Sequence, residues 1–441
     1  MNICIIGGGP TGLRIADKLG KLGYNIKLFD KEDALGGCWK VDWDEGYYRE
    51  HSPRVMTTYY KRTLELFKRL GHKTAPIYGN SFEVSTMFIQ YMYRYTSTID
   101  LIKISRSILF IRKEDKRTLQ KWIDDNNITS QGGRALSKLG ISMATNAKEL
   151  YAYPFFSAIR EGGGGTFIQS VDNDQWIKSW ENVLIEQPNI KIYNNSKIES
   201  IKYNKSKKYF TININKHDIK TDVVICAIPL YGLKDILHNS PEKIQNNWMD
   251  FNKLSDFATA SSYSGIGIQL HFRNKMPDPS VWYANFTDWD LEVISIGTYS
   301  SELSKDVHIK EVWSCVIVDT NAKSNHLNKS ANEIPNINEV IKETIRQLSF
   351  SYGISIQPFK VTVAKGIKYN KTKQYWDMEH SAFNPTKYGV LPQSGDIDNL
   401  YSVGPHNFYE IAVMENAFRA ADIFVNKFKK KMKNEVISKS R

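Results

Sequence analysis

The first thirty residues constrain this chain most. Asn2-Ile3-Cys4-Ile5-Ile6 is a short apolar run without helical period, the pattern of a strand buried on both faces. Glycines follow in the G-x-G-x-x-G pattern at Gly7, Gly9 and Gly12, with Pro10 and Thr11 between them. Thr11 to Leu22 then reads as a helix whose inner face carries Gly12, Ala16 and Leu19, and Asn25 to Phe29 reads as a second strand closed by Asp30. Gly7 permits the turn out of the strand, Gly9 lets backbone approach a pyrophosphate, and Gly12 lets the helix pack on the sheet. Free N–H groups at the helix start suit phosphate oxygens. Asp30 falls near the ~20-residue spacing at which a carboxylate meets a ribose hydroxyl. The order of strand, glycines, helix, strand and acid predicts a bound dinucleotide. The alternative is a glycine-rich turn in an unrelated α/β domain.

At 441 residues the chain exceeds one ordinary core, so two domains are expected. Hydrophobic residues make up 41% and charged ones 24%, a globular composition. No apolar run is long enough to span a bilayer. A strand beginning at residue 2 leaves no room for a signal peptide, and Cys4, Cys38, Cys226 and Cys315 are too scattered for a C-x-x-C pair. Free thiols and a cytoplasmic location are expected. The net charge of +12 is concentrated at the end, where Lys427 to Arg441 holds seven basic residues and one acid. That basic tail reads as a solvated, frayed terminus able to touch an anionic surface. No nucleic-acid module and no metal-ligand cluster is present in the pattern.

After Asp30 and Lys31 the chain reaches Gly36-Gly37-Cys38-Trp39, and near its end Asp398-Asn399-Leu400-Tyr401-Ser402-Val403-Gly404 leads into Tyr409-Glu410-Ile411-Ala412-Val413 with Arg419-Ala420-Ala421 in register. This combination resembles the glutathione-reductase-type FAD-dependent oxidoreductases, nearest the flavin-containing amine oxidases with protoporphyrinogen oxidases and phytoene desaturases. Cys38-Trp39 stands where that group usually has Arg and is closer to the Gly-Gly-x-Trp of flavin-containing monooxygenases. Ile411 replaces the group's glycine. The resemblance implies FAD, held by Gly7, Gly9, Pro10, Thr11, Gly12, Asp30, Lys31, Gly36, Gly37, Cys38, Trp39, Gly404, Ala412 and Val413. It also places Gly46 to Arg54 near the flavin ring and makes Asp222 to Pro229 a strand of the dinucleotide-binding sheet.

The expected class is α/β: a Rossmann-like FAD-binding domain (1–75, 160–250 and 395–426) interleaved with a mostly antiparallel sheet-plus-helix substrate domain (76–159 and 251–394), then a basic tail (427–441). Ser85 to Ala147 is helical in pattern, and the four glycines Gly162 to Gly165 lead towards a helix from Asp174 to Leu184. The second domain rests on candidate strands Gly265–Phe272, Leu291–Tyr299, Glu311–Asp319 and Phe359–Tyr369 with a helix over Ile337–Leu348. The terminal helix is predicted over Glu410 to Val425.

For chemistry, the resemblance implies oxidation of a C–N or C–C bond of a small molecule. Many amine oxidases carry a lysine on the strand facing flavin N5. By element order that strand is Tyr263 to Phe272, which has none, leaving Lys365 on a later strand as candidate. His51 and His406 lie in the two loops expected near the ring and are acid–base candidates. Trp39, Tyr375, Trp376, Phe408 and Tyr409 are candidate pocket aromatics. A second full glycine fingerprint is missing, which disfavours a nicotinamide site. A flavin-containing monooxygenase, a non-redox flavoenzyme such as a sugar-nucleotide mutase, and a non-catalytic FAD-stabilised binding protein remain as alternatives.

Overall fold

The computed structural model describes the chain except for residues 78–83, 143–146, 163–164, 261, 264, 280–286, 378–381, 384–388, 412 and 440–441. It opens with β1 (Asn2–Ile6), α1 (Pro10–Gly20) and β2 (Asn25–Phe29). Short strands follow: β3 (Asp42–Asp44), β4 (Tyr47–Arg49), β5 (Met56–Thr57) and, after α2 (Lys61–Leu70), β6 (Thr74–Pro76). Five helices come next: α3 (Val84–Tyr95), α4 (Thr98–Phe110), α5 (Leu119–Asp125), α6 (Ser130–Ser142) and α7 (Ala152–Gly162). The chain then returns through β7 (Phe167–Ser170), α8 (Gln175–Ile185) and β8 (Ile190–Tyr193) to a meander of β9 (Ile198–Asn204), β10 (Tyr209–Ile214) and β11 (His217–Thr221). β12 (Val223–Cys226) precedes α9 (Leu230–His238), α10 (Glu242–Gln245) and α11 (Phe251–Ala260), after which β13 (Ser262–Tyr263) pairs antiparallel with β20 (Ala382–Phe383).

The parallel sheet runs in the order β21-β12-β1-β2-β8, where β21 is Leu400–Ser402 from the far end of the chain. Its side chains alternate as a strand requires. Ile3, Ile5, Ile26, Leu28, Val223 and Ile225 face a core shared with α1, α8 and the terminal helix. Cys4, Ile6, Phe29, Val224 and Cys226 face the meander and α9. Both faces are covered, which explains the continuous apolar run of β1.

A second sheet has the order β15-β16-β14-β17, all antiparallel: β14 (Ile266–Phe272), β15 (Leu291–Ser295), β16 (Glu311–Ile317) and β17 (Lys360–Val363). Ile266, Ile268, Leu270 and Phe272 share a core with Val340 and Leu348 of α12 (Ile337–Tyr352). The alternate residues Gly267, Gln269 and His271 turn to the opposite side, against the loop after β4. The five helices α3 to α7 hold their own core around Leu119, Trp122, Leu136, Phe155 and Phe156.

Several expected boundaries move. The strand over Leu291–Tyr299 stops at Ser295, where a 3-10 turn begins. Phe359–Tyr369 splits into β17 and β18 (Lys368–Asn370), because Gly366 turns the chain at φ +81°. The largest change is at the end. The helix begins later than Glu410 and runs from Met414 to Lys439 as α13. Phe428 and Met432 are buried beside Phe424, so the basic segment is packed helix as far as Met432 rather than a frayed terminus from Lys427 on. Lys427, Lys429, Lys430 and Lys433 are exposed, while Phe428 and Met432, about one turn apart, stay inward.

Candidate functional site

The cradle is built from backbone. Gly7 (φ +103°) turns the chain out of β1, and its N–H donates to the Phe29 carbonyl at 2.8 Å. A Cβ on Gly12 would stand 1.9 Å from the Gly7 carbonyl oxygen, so α1 can pack this tightly only with glycine there. No side chain caps α1, and Pro10 occupies its first turn, leaving the N–H groups of Thr11 and Gly12 at an open helix start. The Gly36–Gly37 turn, with both residues at positive φ, packs directly on this point: Gly36 N–H donates to the Gly8 carbonyl at 2.9 Å. A Cβ on Gly37 would stand 3.3 Å from the Gly9 Cα.

Asp30 is buried at the end of β2. Its Oδ2 accepts from Gly8 N–H at 2.6 Å and its Oδ1 from Glu32 N–H at 2.9 Å. A carboxylate oxygen retains a second lone-pair direction after one such bond. Lys31 is exposed and pairs with Glu32 at 3.5 Å.

α13 is fastened across this unit. Asp422 accepts two hydrogen bonds from Arg14 (2.8 and 2.9 Å) and lies 3.0 Å from Lys18 and 3.2 Å from Arg62. These cations hold its carboxyl below the usual range despite burial. Glu415 takes Arg62 at 3.0 Å, so α1, α2 and α13 form one charged seam.

Beside the Gly36–Trp39 turn lies a buried network that sequence reasoning did not single out. Arg54 donates to Glu50 Oε2 (2.7 Å), to the Trp39 carbonyl and to the Tyr48 hydroxyl (3.1 Å), while Tyr48 donates to Glu50 Oε2 (3.0 Å). Glu50 Oε1 is buried and has no hydrogen-bond partner among the described residues. Burial pushes the Tyr48 and Tyr299 phenols up, and burial likewise raises the Cys38 thiol, with Arg54 opposing. The loop is clamped to the second sheet: Gln269 Nε2 donates to the Glu50 carbonyl at 2.8 Å, and Thr362 Oγ1 to the Tyr48 carbonyl at 2.8 Å. A Cβ on Gly267 would stand 2.1 Å from the His51 carbonyl oxygen, so this glycine marks a close backbone approach. The only sequence signal was the pair Glu50 and Arg54 four residues apart inside the loop expected near the ring.

The proposed acid–base groups are placed differently from one another. His51 is half-buried, with Nε2 2.9 Å from Ser52 Oγ. His406 is fully buried with Nε2 2.8 Å from Ser402 Oγ, and burial lowers its pKa to about 3, which favours the neutral ring. A Cβ on Gly404 would stand 2.7 Å from the His406 ring, which gives that glycine a structural reason of its own. Lys365 lies in the turn after β17, partly exposed, 3.9 Å from Glu32; this brings it to the acidic loop after β2. Trp39 packs into the Rossmann-like core edge-on to Trp176, and Trp376 is buried with its Nε1 donating to the Ala331 and Ile334 carbonyls. Both rings are thus buried. Tyr375 is half-buried in β19 (Tyr375–Asp377), Phe408 lies under Arg419, and Tyr409 under Lys116. Val413 is half-buried immediately before α13; Ala412 lies outside the described residues. No metal-binding group is found among the described residues.

A family model for an NAD(P)-binding Rossmann-like domain matches residues 5–70. A 4,4'-diapolycopen-4-al dehydrogenase of Metabacillus indicus is 41% identical over 56 residues, which make up 13% of this chain and 11% of that enzyme. Wild-type putrescine oxidase bound to putrescine superposes with a TM-score of 0.66 at 12% identity, covering 98% of this chain and 99% of that one. Cyclohexylamine oxidase from Brevibacterium oxydans gives 0.64 at 10% identity over the same shares. A fatty acid isomerase from P. acnes gives 0.57 at 12% identity, covering 97% and 98%. The chain therefore carries an NAD(P)-binding Rossmann-like domain within the fold shared by these amine oxidases, a parallel-sheet core with separate antiparallel sheets.

Proposed function

We propose that this chain is an FAD-dependent oxidoreductase acting on a C–N or C–C bond of a small molecule. The observation that carries the reading is the backbone-only cradle where Gly9 and Gly37 meet, next to the buried Asp30 carboxylate. Residues there fit the group: side chains are absent where a pyrophosphate would lie, and an acid stands where a ribose would. The N–H groups of Thr11 and Gly12 would bind phosphate oxygens, and Asp30 Oδ1 would accept a ribose hydroxyl beside its bond from Glu32. FAD, when bound, supplies the acceptor for a hydride equivalent. Arg54 fixes the Trp39 carbonyl and so the Gly36–Gly37 turn, while Gln269 and Thr362 hold the 48–54 loop against β14. Glu50 Oε1 offers a buried acceptor to an N–H or O–H of what is bound. In this reading 1–75, 160–250 and 395–426, with α13 to its end, form the FAD-binding domain. Residues 76–159 and 251–394 bind the substrate.

Acid precipitation of purified protein should release a yellow chromophore with the mass of FAD. Anaerobic mixing with amines, amino acids, isoprenoids and NAD(P)H should bleach it with one of the first three classes. Colourless protein that no flavin reconstitutes overturns the reading. Reduction only by NADPH, coupled to oxygenation, promotes the monooxygenase. A redox-neutral reaction is a second reading, favoured by the isomerase that shares the fold. It is recognised by turnover that consumes no electron acceptor.

A further inference from the structure

The helical layer presents an apolar face to solvent. In α4, Ile99, Ile102, Leu109 and Phe110 are 65%, 65%, 61% and 71% exposed. At 3.6 residues per turn these four, with Arg106, fall within about 100° of arc. The opposite side of the helix carries Asp100 and Ile104, both buried in the layer. Thus α4 buries one side in the layer and still shows an apolar side to solvent. On α3, Ile89 and Tyr93 are exposed as well. Exposed apolar residues scattered singly need no explanation, whereas a continuous stripe marks a contact surface.

Charge decides what covers it. Arg106 lies within the stripe, and Arg94 and Arg112 precede and follow α4 in the chain, all three exposed. The acid of α4, Asp100, is buried in the capping box with Ser97, and Glu114, beyond the helix, is the first exposed acid to follow. A second copy pairing two-fold through this face would set Arg106 near its own equivalent, a like-charge contact. An anionic lipid surface instead accepts the apolar side chains among its acyl chains and the guanidinium groups among its phosphates. No helix among the described residues is long and apolar enough to cross a membrane, so the contact is one of lying on the surface.

We propose that α4 docks this protein on an anionic bilayer through Ile99, Ile102, Arg106, Leu109 and Phe110. The test floats full-length holoprotein with vesicles of phosphatidylcholine, with and without phosphatidylserine. Expected are binding to the anionic vesicles and a tenfold or greater loss in the Ile102→Asp/Leu109→Asp double variant. Arg106→Gln should lose about fivefold, and raised salt should weaken binding further. Because the altered side chains are exposed, flavin content and melting temperature should stay at wild-type values. Arg106→Gln and the salt series read the same surface should the double variant fold poorly. The proposal is overturned if neither vesicle binds, or if the double variant and Arg106→Gln bind as wild type; the lysines of α13 would then carry any attachment. It is equally overturned if vesicles do not bind and sedimentation shows a dimer that Ile102→Asp/Leu109→Asp dissolves.

Discussion

Phe428→Ala tests whether the basic end of the chain is part of the fold. The ring is buried, edge-on to Tyr24 (5.6 Å) and Tyr401 (6.0 Å) and stacked on Phe424 (5.7 Å). Its neighbours belong to three separate elements: the turn before β2, strand β21 and α13. They are held by their own hydrogen bonds, so the space left by the ring closes poorly. Truncating a core phenylalanine to alanine costs about 3–5 kcal/mol, with larger values where the cavity persists. We expect about 4 kcal/mol here, a large part of the ~5–15 kcal/mol that holds an ordinary domain together. Denaturant unfolding followed by flavin fluorescence reads the loss at the sheet that carries the cradle. Lys429→Ala, on the exposed face of the same turn, should change stability by less than about 0.5 kcal/mol. Truncation after Asn426 removes Met432 too and should do more harm than Phe428→Ala. If Phe428→Ala is as mild as Lys429→Ala, the last turns of α13 are frayed in solution and the packing argument fails.

Three further outcomes are expected. Gly12→Ala puts a methyl 1.9 Å from the Gly7 carbonyl oxygen; the helix must shift, costing about 1–3 kcal/mol and most of the bound flavin, and a normal flavin-to-protein absorbance ratio would refute the close approach. Asp30→Ala should weaken flavin binding by about 1.5–3 kcal/mol in equilibrium titration, and unchanged affinity would show that another group holds the ribose. His406 and His271 are buried neutral with pKa values lowered to about 3 and about 4, whereas unfolded histidine titrates near 6.5. The unfolded chain therefore binds more protons, so their contribution is full above about pH 6.5 and is lost as pH falls towards the folded values, at up to ~1.4 kcal/mol per pH unit each. Unfolding midpoints between about pH 4 and 7 should show a shallower slope for His406→Asn than for wild type, and equal slopes would place the charge change elsewhere.

The parallel sheet was legible because its signals are local. β1 and β12 are continuous apolar runs, and a strand covered on both faces needs that composition. The second sheet was legible in outline, yet Gly297 and Gly366 ended two strands early. Each glycine stood in an otherwise strand-like stretch, and turn geometry outweighed β-propensity there. The end of α13 was misread for another reason. Phe424, Phe428 and Met432 recur at helical spacing, but the intervening lysines dominate composition and look like a solvated tail. Only their shared burial against Tyr24 and Tyr401 shows that the stripe has a partner.

The candidate site divides along the same line. Cradle contacts are made by backbone, and the residue types that make backbone available are few. Glycine at 7, 12, 36 and 37 therefore speaks directly of geometry. The 48–54 loop works through side chains whose partners are distant in the chain: Gln269 for the Glu50 carbonyl, Thr362 for the Tyr48 carbonyl, Trp39 for Arg54. No spacing rule connects those positions. His406 shows the converse case. A histidine after Gly404 invites a catalytic role, yet Ser402 four residues earlier and full burial make it a neutral strut. On the proposed reading a substrate would meet the loop side of β14, where Glu50 and His51 lie. A buried acceptor there, Glu50 Oε1, would orient an N–H or O–H rather than shuttle a proton through bulk water. On that reading the protein's part in the chemistry would be chiefly to position the substrate and exclude solvent.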